Sequence, residues 1–358
     1  MAAAPYGLIL AGGRGTRFWP LSRRASAKQV LSFFGDRSLI QQTVDRLAPV
    51  IPPERIWVLT NHHLRDAIVR QLREVPARQI LAEPAQRNTA PAIGLAAHIL
   101  ESIEPGAVMG VFPADHVIGK AREYCGLLRP AFRAARQGNI VVLGIQPRWA
   151  ETGYGYIEFP RGVRAGSREP VKVLRFREKP DAATAAKFVR AGNFYWNAGM
   201  FFFRAKVMLD ALRQFLPATS ALLDGLPPFA SRRFAPRMRE IFPQCDNISI
   251  DYAVLERASN VTGLAAGDIA WNDVGSWNAV YELESASAQA NVLKSDTLVE
   301  SSAGSYVHAH GKLVALLGVR DLIVVDTPDA LLIADRARAQ EVGDLVKRLE
   351  KAGRHDLL

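Results

Sequence analysis

Cysteine is nearly absent: Cys125 and Cys245 are the only two in 358 residues. Two thiols supply neither a disulfide framework nor the paired spacing of a structural zinc site. The seven histidines include one adjacent pair, His62 and His63, with no Cys or Glu at metal-motif spacing beside it. Most therefore read as solvated or core side chains. No run approaches the roughly 18 apolar residues that a membrane-spanning helix needs. Residues 1–10 show no charged leader followed by a cleavable apolar stretch. The expected location is the cytoplasm, with no membrane partner. A repeat of fixed period is also missing, which excludes a long solenoid. Acidic residues are the minority, 35 against 45 Lys and Arg, for a formal charge of +10. That excess suits a phosphate-bearing partner. No basic tract or aromatic-interleaved stripe points to DNA or RNA, so nucleic acid is not expected.

What is present is a chain long enough for one large domain and a smaller one, 49% apolar by composition. Short apolar runs at 6–10, 55–59, 108–112 and 140–144 read as strands buried on both faces. Helical patterns at 39–47, 90–100 and 123–136 alternate with them, and 171–176 reads as a further strand. Asn88 and Thr89 supply capping side chains, with Pro91 in a first turn that tolerates it. The alternation predicts an α/β fold with a Rossmann-like, mostly parallel mixed sheet, whose ligands bind beyond the carboxyl ends of the strands. Near residue 287 the composition turns small and polar. Short strand-like runs follow, at 298–299, 306–308, 313–317, 322–325 and 331–334, and a helix is expected at 338–351. The expected division is 1–287 for the larger domain and 288–358 for a small β-rich domain ending in a helix.

The first strand runs into Gly12-Gly13-Arg14-Gly15-Thr16-Arg17, and Lys28 follows eleven residues after Arg17. Glycines allow a tight turn and leave N–H groups open to an anion. Arg17 offers forked hydrogen bonds to phosphate, and Lys28 a mobile point charge. The spacing matches neither a Walker loop nor the dinucleotide fingerprint, which argues against a hydride-transferring enzyme. A bare GGxG is as well explained by an ordinary turn. Asp115 lies just past the 108–112 strand, and Asp273 in a turn between Gly and Trp. Two converging carboxylates are a usual way to hold Mg²⁺ on phosphates; taken singly, each also reads as a turn or cap residue.

The string LAGGRGTRFWPLSRRASAKQ at 10–29 resembles the signature of the mannose-1-phosphate guanylyltransferases, or GDP-mannose pyrophosphorylases. The resemblance continues through EPAQRNTAPAI at 83–93, FPADHVI at 112–118, GYGYIE at 153–158 and FREKP at 176–180. It closes with WNAGMFFF at 196–203, SIDYAVLE at 249–256 and WNDVGSW at 271–277. These blocks keep family order over most of the chain. The resemblance implies transfer of GMP from GTP to mannose 1-phosphate, with pyrophosphate released and Mg²⁺ on Asp115 and Asp273. It implies that Leu10, Ala11, Gly12, Gly13, Gly15, Thr16, Arg17, Lys28, Glu83, Arg87, Asn88, Thr89 and Asp115 meet the nucleotide, with Arg17 and Lys28 catalytic. Gly155, Glu178, Lys179, Asn197 and Asp251 would form the sugar-phosphate pocket. A carboxylate such as Glu83 can accept from guanine N1–H and N2–H, which adenine cannot match.

One departure is Ala27, where the family usually has Pro, so the unliganded loop is expected to be looser. Too few residues follow WNDVGSW for a further isomerase barrel of the kind some bacterial relatives carry, so the expected chain is the short monofunctional type. Its β-rich domain is expected to be a short left-handed β-helix or a similar cap. Relatives that dimerise imply a homodimer. Two other functions fit the same blocks. One is the same reaction on glucose 1-phosphate with UTP or ATP. The other is a silent regulatory subunit that binds sugar nucleotides, but it should lack Arg17, Lys28 or an acidic ligand, and all are present.

Overall fold

The apolar runs fold as buried strands in the computed structural model, which describes residues 3–358. The strands are β1 (Tyr6–Ala11), β2 (Ile56–Asn61), β3 (Ile80–Glu83), β4 (Val108–Pro113), β5 (Val117–Ile118) and β6 (Ile140–Ile145). Then come β7 (Tyr156–Glu158), β8 (Val171–Lys172), β9 (Arg175–Arg177), β10 (Phe194–Arg204), β11 (Val261–Ala265) and β12 (Trp271–Asn272). Ten of them form one sheet whose main order is β3-β2-β1-β4-β10-β6-β11-β8, with β7 branching from β10 and β9 pairing onto β7. Strands β1 to β4 are mutually parallel, whereas β10 runs antiparallel between β4 and β6. The chain adds β2 and β3 on one side of β1, then returns to place β4 on the other. That reversal opens a crevice at the carboxyl ends of β1 and β4.

Alternate side chains of β1 feed two cores. Ile9 and Ala11 join the cluster on one face, Tyr6 and Leu8 that on the other. Double-sided burial is what the unbroken apolar run required. The first helices are α1 (Leu39–Leu47), α2 (Arg65–Gln71), α3 (Thr89–Ile103) and α4 (Ala121–Arg136). Ser38 and Gln41 close a capping box on α1. Among the described residues no helix is long and apolar enough to cross a membrane.

Six further strands follow: β13 (Val292–Leu293), β14 (Thr297–Glu300), β15 (Tyr306–His308), β16 (Val314–Leu317), β17 (Leu322–Asp326) and β18 (Leu331–Asp335). Parallel pairing stacks β13 on β15 on β17, and β14 on β16, in the manner of short β-helix rungs; β18 adds antiparallel to β17. Two expectations need correction. The single strand at 171–176 is split, because Val173 donates to Val261 and Leu174 to Glu158, so the chain changes partner midway. The last helix spans Val342–Lys351, since Arg336–Glu341 winds as tighter turns capped by Asp335.

Candidate active site

The crevice is a cleft of about 540 Å³ lined by Leu10, Ala11, Gly12, Gly13, Glu83, Arg87, Asn88, Thr89 and Asp115. The glycine loop that borders it is pinned from below. Gln29 donates through Nε2 to the carbonyls of Ala11 at 2.6 Å and Gly13 at 3.0 Å. Gly15 has φ +60°, and a Cβ there would lie 2.7 Å from Lys28 Cβ and 2.8 Å from its backbone nitrogen. Only glycine permits that approach. Ala27 is buried with φ −76°, inside the range a proline would impose, so the loop keeps the shape that Pro would give it.

On the opposite wall Asn88 caps α3 by accepting from the Thr89 amide at 2.9 Å. Thr89 Oγ1 accepts from Ile250 N at 2.9 Å, tying this end of α3 to the segment that carries Asp251. Arg87 donates to the Pro243 carbonyl. Burial pushes the Glu83 carboxyl up to about 8, and its Oε2 stands 3.3 Å from where a Gly12 Cβ would be. At neutral pH and without ligand, the cleft thus holds an uncharged acid beside the glycine loop.

Asp115 and Asp273 meet at one buried ammonium. Lys28 Nζ lies 2.9 Å from Asp115 Oδ2 and donates to the Asp273 carbonyl at 2.6 Å. Tyr154 Oη donates to Asp273 Oδ1 at 2.6 Å. Burial alone would raise the Asp115 carboxyl, but the Lys28 charge holds it below the usual range. Strands β5 and β12 explain the meeting: Asn272 pairs with Val117 and Trp271 with Ile118 in an antiparallel ladder, so both aspartates sit at its end. Trp271 Nε1 donates to His116 Nδ1 at 3.2 Å across it. Burial pushes the His116 imidazole down to about 4, leaving it neutral. From below, Arg46 of α1 donates to the His116 carbonyl at 2.8 Å.

The site fits a divalent cation of the magnesium type. The Asp115 carboxylate and the Asp273 carbonyl already share a cation, the Asp273 carboxylate stands beside them on Tyr154, and these hard oxygen donors leave other positions for phosphate oxygens and water. No cluster of three or more His, Cys, Asp or Glu suited to a metal occurs among the described residues.

Beyond Tyr154 lies a second group. Gly155 lets Glu178 come close, since a Cβ would lie 2.4 Å from Glu178 Oε2 and 3.4 Å from Asn197 Cβ. Asn197 Nδ2 donates to Asp251 Oδ1 at 3.0 Å, and Lys179 donates to Glu178. Burial, then the neighbouring Glu178 charge, pushes the Asp251 carboxyl up to about 7. Five residues spread from 155 to 251 thus gather in one polar cluster. Arg17 and Thr16 lie apart from the main cleft. Arg17 is exposed and reaches the Gly275 carbonyl at 3.4 Å, and both residues pack against Gly343 of the last helix. Gln29, His116, Tyr154 and Trp271 are site residues that sequence reasoning passed over. All four stand inside the blocks quoted above, within two positions of residues chosen for charge or for glycine. Glu350, which binds Arg14 and approaches Arg24 at 3.9 Å, carried no sequence signal at all.

The nucleotidyl transferase family profile matches residues 6–290, and that of the MannoseP isomerase/GMP-like beta-helix domain matches 297–349. A mannose-1-phosphate guanylyltransferase of Escherichia coli is 39% identical over 354 residues, covering 96% of this chain and 74% of its own. The alginate biosynthesis protein AlgA of Pseudomonas aeruginosa is 39% identical over 98% of this chain and 73% of its own. The crystal structure of a Thermus thermophilus protein, described as a mannose-1-phosphate geranyltransferase, superposes with a TM-score of 0.86. That protein is 34% identical, over 97% of this chain and 100% of its own.

Proposed function

The chain belongs to the nucleotidyl transferase family, among the mannose-1-phosphate guanylyltransferases, and from that premise we propose that it transfers GMP from GTP to α-D-mannose 1-phosphate, yielding GDP-mannose and pyrophosphate. The observation that carries the reading is the continuous line from the cleft to the polar cluster around Gly155. Asp115 lines the nucleotide-sized cleft, Lys28 joins it to Asp273, Tyr154 joins Asp273 to the segment of Gly155, and Gly155 abuts Glu178. Two anionic substrates placed at the ends of that line would meet at its centre.

In this mechanism a phosphate oxygen of mannose 1-phosphate attacks the α-phosphorus of GTP in line. The bond to the bridging oxygen breaks, and its electron pair leaves with pyrophosphate. The nucleophile is already anionic, so no general base is needed. Amides of Gly12, Gly13 and Gly15 receive the triphosphate. Lys28 and Arg17 are assigned to the charge that grows on the leaving pyrophosphate. Glu83 accepts from guanine, with Arg87, Asn88 and Thr89 shaping that wall. Glu178, Asn197 and Asp251 read sugar hydroxyls, and Lys179 holds the sugar phosphate. The family generally uses a divalent metal; we assign Mg²⁺ to Asp115 and Asp273, where it would neutralise phosphate charge and draw the substrates together.

Glucose 1-phosphate with UTP or ATP is not favoured by the relatives, and the intact Arg17, Lys28, Asp115 and Asp273 disfavour a silent regulatory subunit. The cytoplasm is the proposed place of action. A homodimer joined through the β-rich region is supported by the exposed Leu298, Leu317, Leu331 and Ile333 there. The deciding experiment measures pyrophosphate release for four nucleoside triphosphates against several sugar 1-phosphates. The expected optimum is GTP with mannose 1-phosphate. Equal or faster turnover of UTP with glucose 1-phosphate would overturn the assignment.

A further inference from the structure

A second cavity, of about 510 Å³, lies on the outer face of α4 and shares no lining residue with the catalytic cleft. Four arginines line it, Arg122, Arg129, Arg133 and Arg168, together with Gly126 and Cys125, and no carboxylate does. Three of the arginines fall with Gly126 at positions 122, 126, 129 and 133, the spacing of one helix stripe. Arg168 comes from the loop after β7 and lies over Gly126: a Cβ at 126 would sit 3.1 Å from Arg168 Nη2. Glycine therefore leaves the space in which the fourth guanidinium completes the cluster.

Many surface arginines elsewhere are paired, and those that are not, such as Arg70, Arg73 and Arg161, do not line this cavity, whereas these four line it together. Arg37 pairs with Asp45, Arg213 with Asp210 and Asp224, Arg336 with Asp321, and Arg354 with Asp356. Within the described residues, none of Arg122, Arg129, Arg133 and Arg168 makes an ion pair or a side-chain hydrogen bond. Their forked N–H groups face a concave space with nothing of opposite sign, although the chain has acids enough to pair most of its cations. Part of the +10 charge is thereby concentrated away from the catalytic cleft.

We propose that this cavity is a second binding site, for a small molecule that carries a diphosphate. One phosphoryl group saturates about two guanidiniums through paired hydrogen bonds. Four guanidiniums that line one cavity of about 510 Å³ thus suit two linked phosphoryl groups. The volume is that of a small-ligand pocket of about 300–1,000 Å³, whereas a nucleic acid needs an extended surface. The floor also touches the active site: Cys125 Sγ donates to the Arg46 carbonyl at 3.3 Å, and Arg46 Nη2 donates to the His116 carbonyl beside Asp115.

Equilibrium dialysis of the full chain against labelled inorganic pyrophosphate, and separately against GDP-mannose, tests the proposal. Wild type is expected to take up two molecules of pyrophosphate per chain. Arg129→Ala/Arg168→Ala should take up one, its second-site affinity lowered at least tenfold, with turnover and melting unchanged. Loss of a second GDP-mannose in the same variant would identify a nucleotide sugar as occupant; loss of pyrophosphate alone would identify the free anion. Hydrogen exchange of wild type provides the control if that variant fails to fold, since pyrophosphate should protect 121–133 and 164–170. One molecule per chain in both arms, equal uptake by the variant, or no protection of those segments overturns the site.

Discussion

Glu83 shows how one side chain ties recognition to pH. Its acid is pushed up to about 8 by burial, so in the free protein it keeps its proton at neutral pH. To accept from guanine it must lose that proton. GTP affinity is therefore expected to rise about tenfold per pH unit from 6 towards 8 and then level off. Calorimetry in buffers of different ionisation heat should detect one proton released per GTP below pH 8. The stability sign follows from the same shift. Between the ordinary glutamate value and 8, the native state holds the extra proton, so ionisation of Glu83 lowers stability as pH rises through that window. Glu83→Gln should thus be the more stable protein at pH 8, yet lose about 10–100-fold of its preference for GTP over ATP, the worth of a hydrogen bond to a charged group. A flat affinity profile would remove Glu83 from base recognition. At the centre of the site, Asp115→Asn and Asp273→Asn are each expected to lower kcat by about 10²-fold or more, several kcal/mol of barrier. Wild-type turnover by either, in a pyrophosphate-release assay, would defeat the assignment.

At the scale of elements, the two-residue strands β5 and β12 matter more than their length suggests. They bring segments 153–155 positions apart into register, and the Trp271 to His116 hydrogen bond fastens them. Trp271→Phe keeps the ring in its aromatic surroundings and deletes the donor. Binding of Mn²⁺ to the substrate-free protein, followed by paramagnetic resonance, should weaken about tenfold, as when a supporting shell around ligands is loosened. Unchanged Mn²⁺ affinity would show that the ladder backbone suffices. The same elements mark what was legible in sequence. Strands β1 and β4 were readable because near-unbroken apolar runs end at Ala11 and Pro113, and the loops beyond them carry glycines and an aspartate. Helix α1 was readable to the residue from its amphipathic period. β10 was not read as a strand, only as a block of the resemblance at 196–203, because its antiparallel insertion depends on partners far away in the chain. Lys28 was placed by spacing, but its role in joining Asp115 to Asp273 rests on β5–β12 pairing, which no local pattern encodes. Tyr154 was hidden for a different reason: a tyrosine beside two glycines looks like packing until its hydroxyl is found on a carboxylate.

At the scale of the whole molecule, we propose that the division at 287/288 marks a change of topology and not a change of stability. One core cluster contains Phe18, Phe33, Val274 and Trp277 from the larger region and Tyr306, Ile323, Val325 and Val346 from the smaller. Trp19 Nε1 donates to the Leu357 carbonyl at 2.9 Å, and Arg23 pairs with Asp329 at 2.9 Å. The β-rich region thus grips the segment that follows the glycine loop. Removing it would uncover Phe18, Trp19, Phe33, Trp277 and Tyr281. At about 1.5–3 kcal/mol for each large side chain returned to water, that loss rivals the roughly 5–15 kcal/mol that separates a folded protein from its unfolded state. The full chain is therefore expected to melt in a single calorimetric transition, with activity lost along the same curve. Residues 1–287 produced alone should show neither a cooperative transition nor pyrophosphate release. Glu350→Lys asks the same question gently, since it frees Arg14 and Arg24 without opening the core. Its melting temperature should stay close to wild type while KM for GTP rises several-fold, because the loop that receives the triphosphate has lost its anchor. A 1–287 chain that melts cooperatively and turns over at the full rate would show that the catalytic loop is held by the large sheet alone.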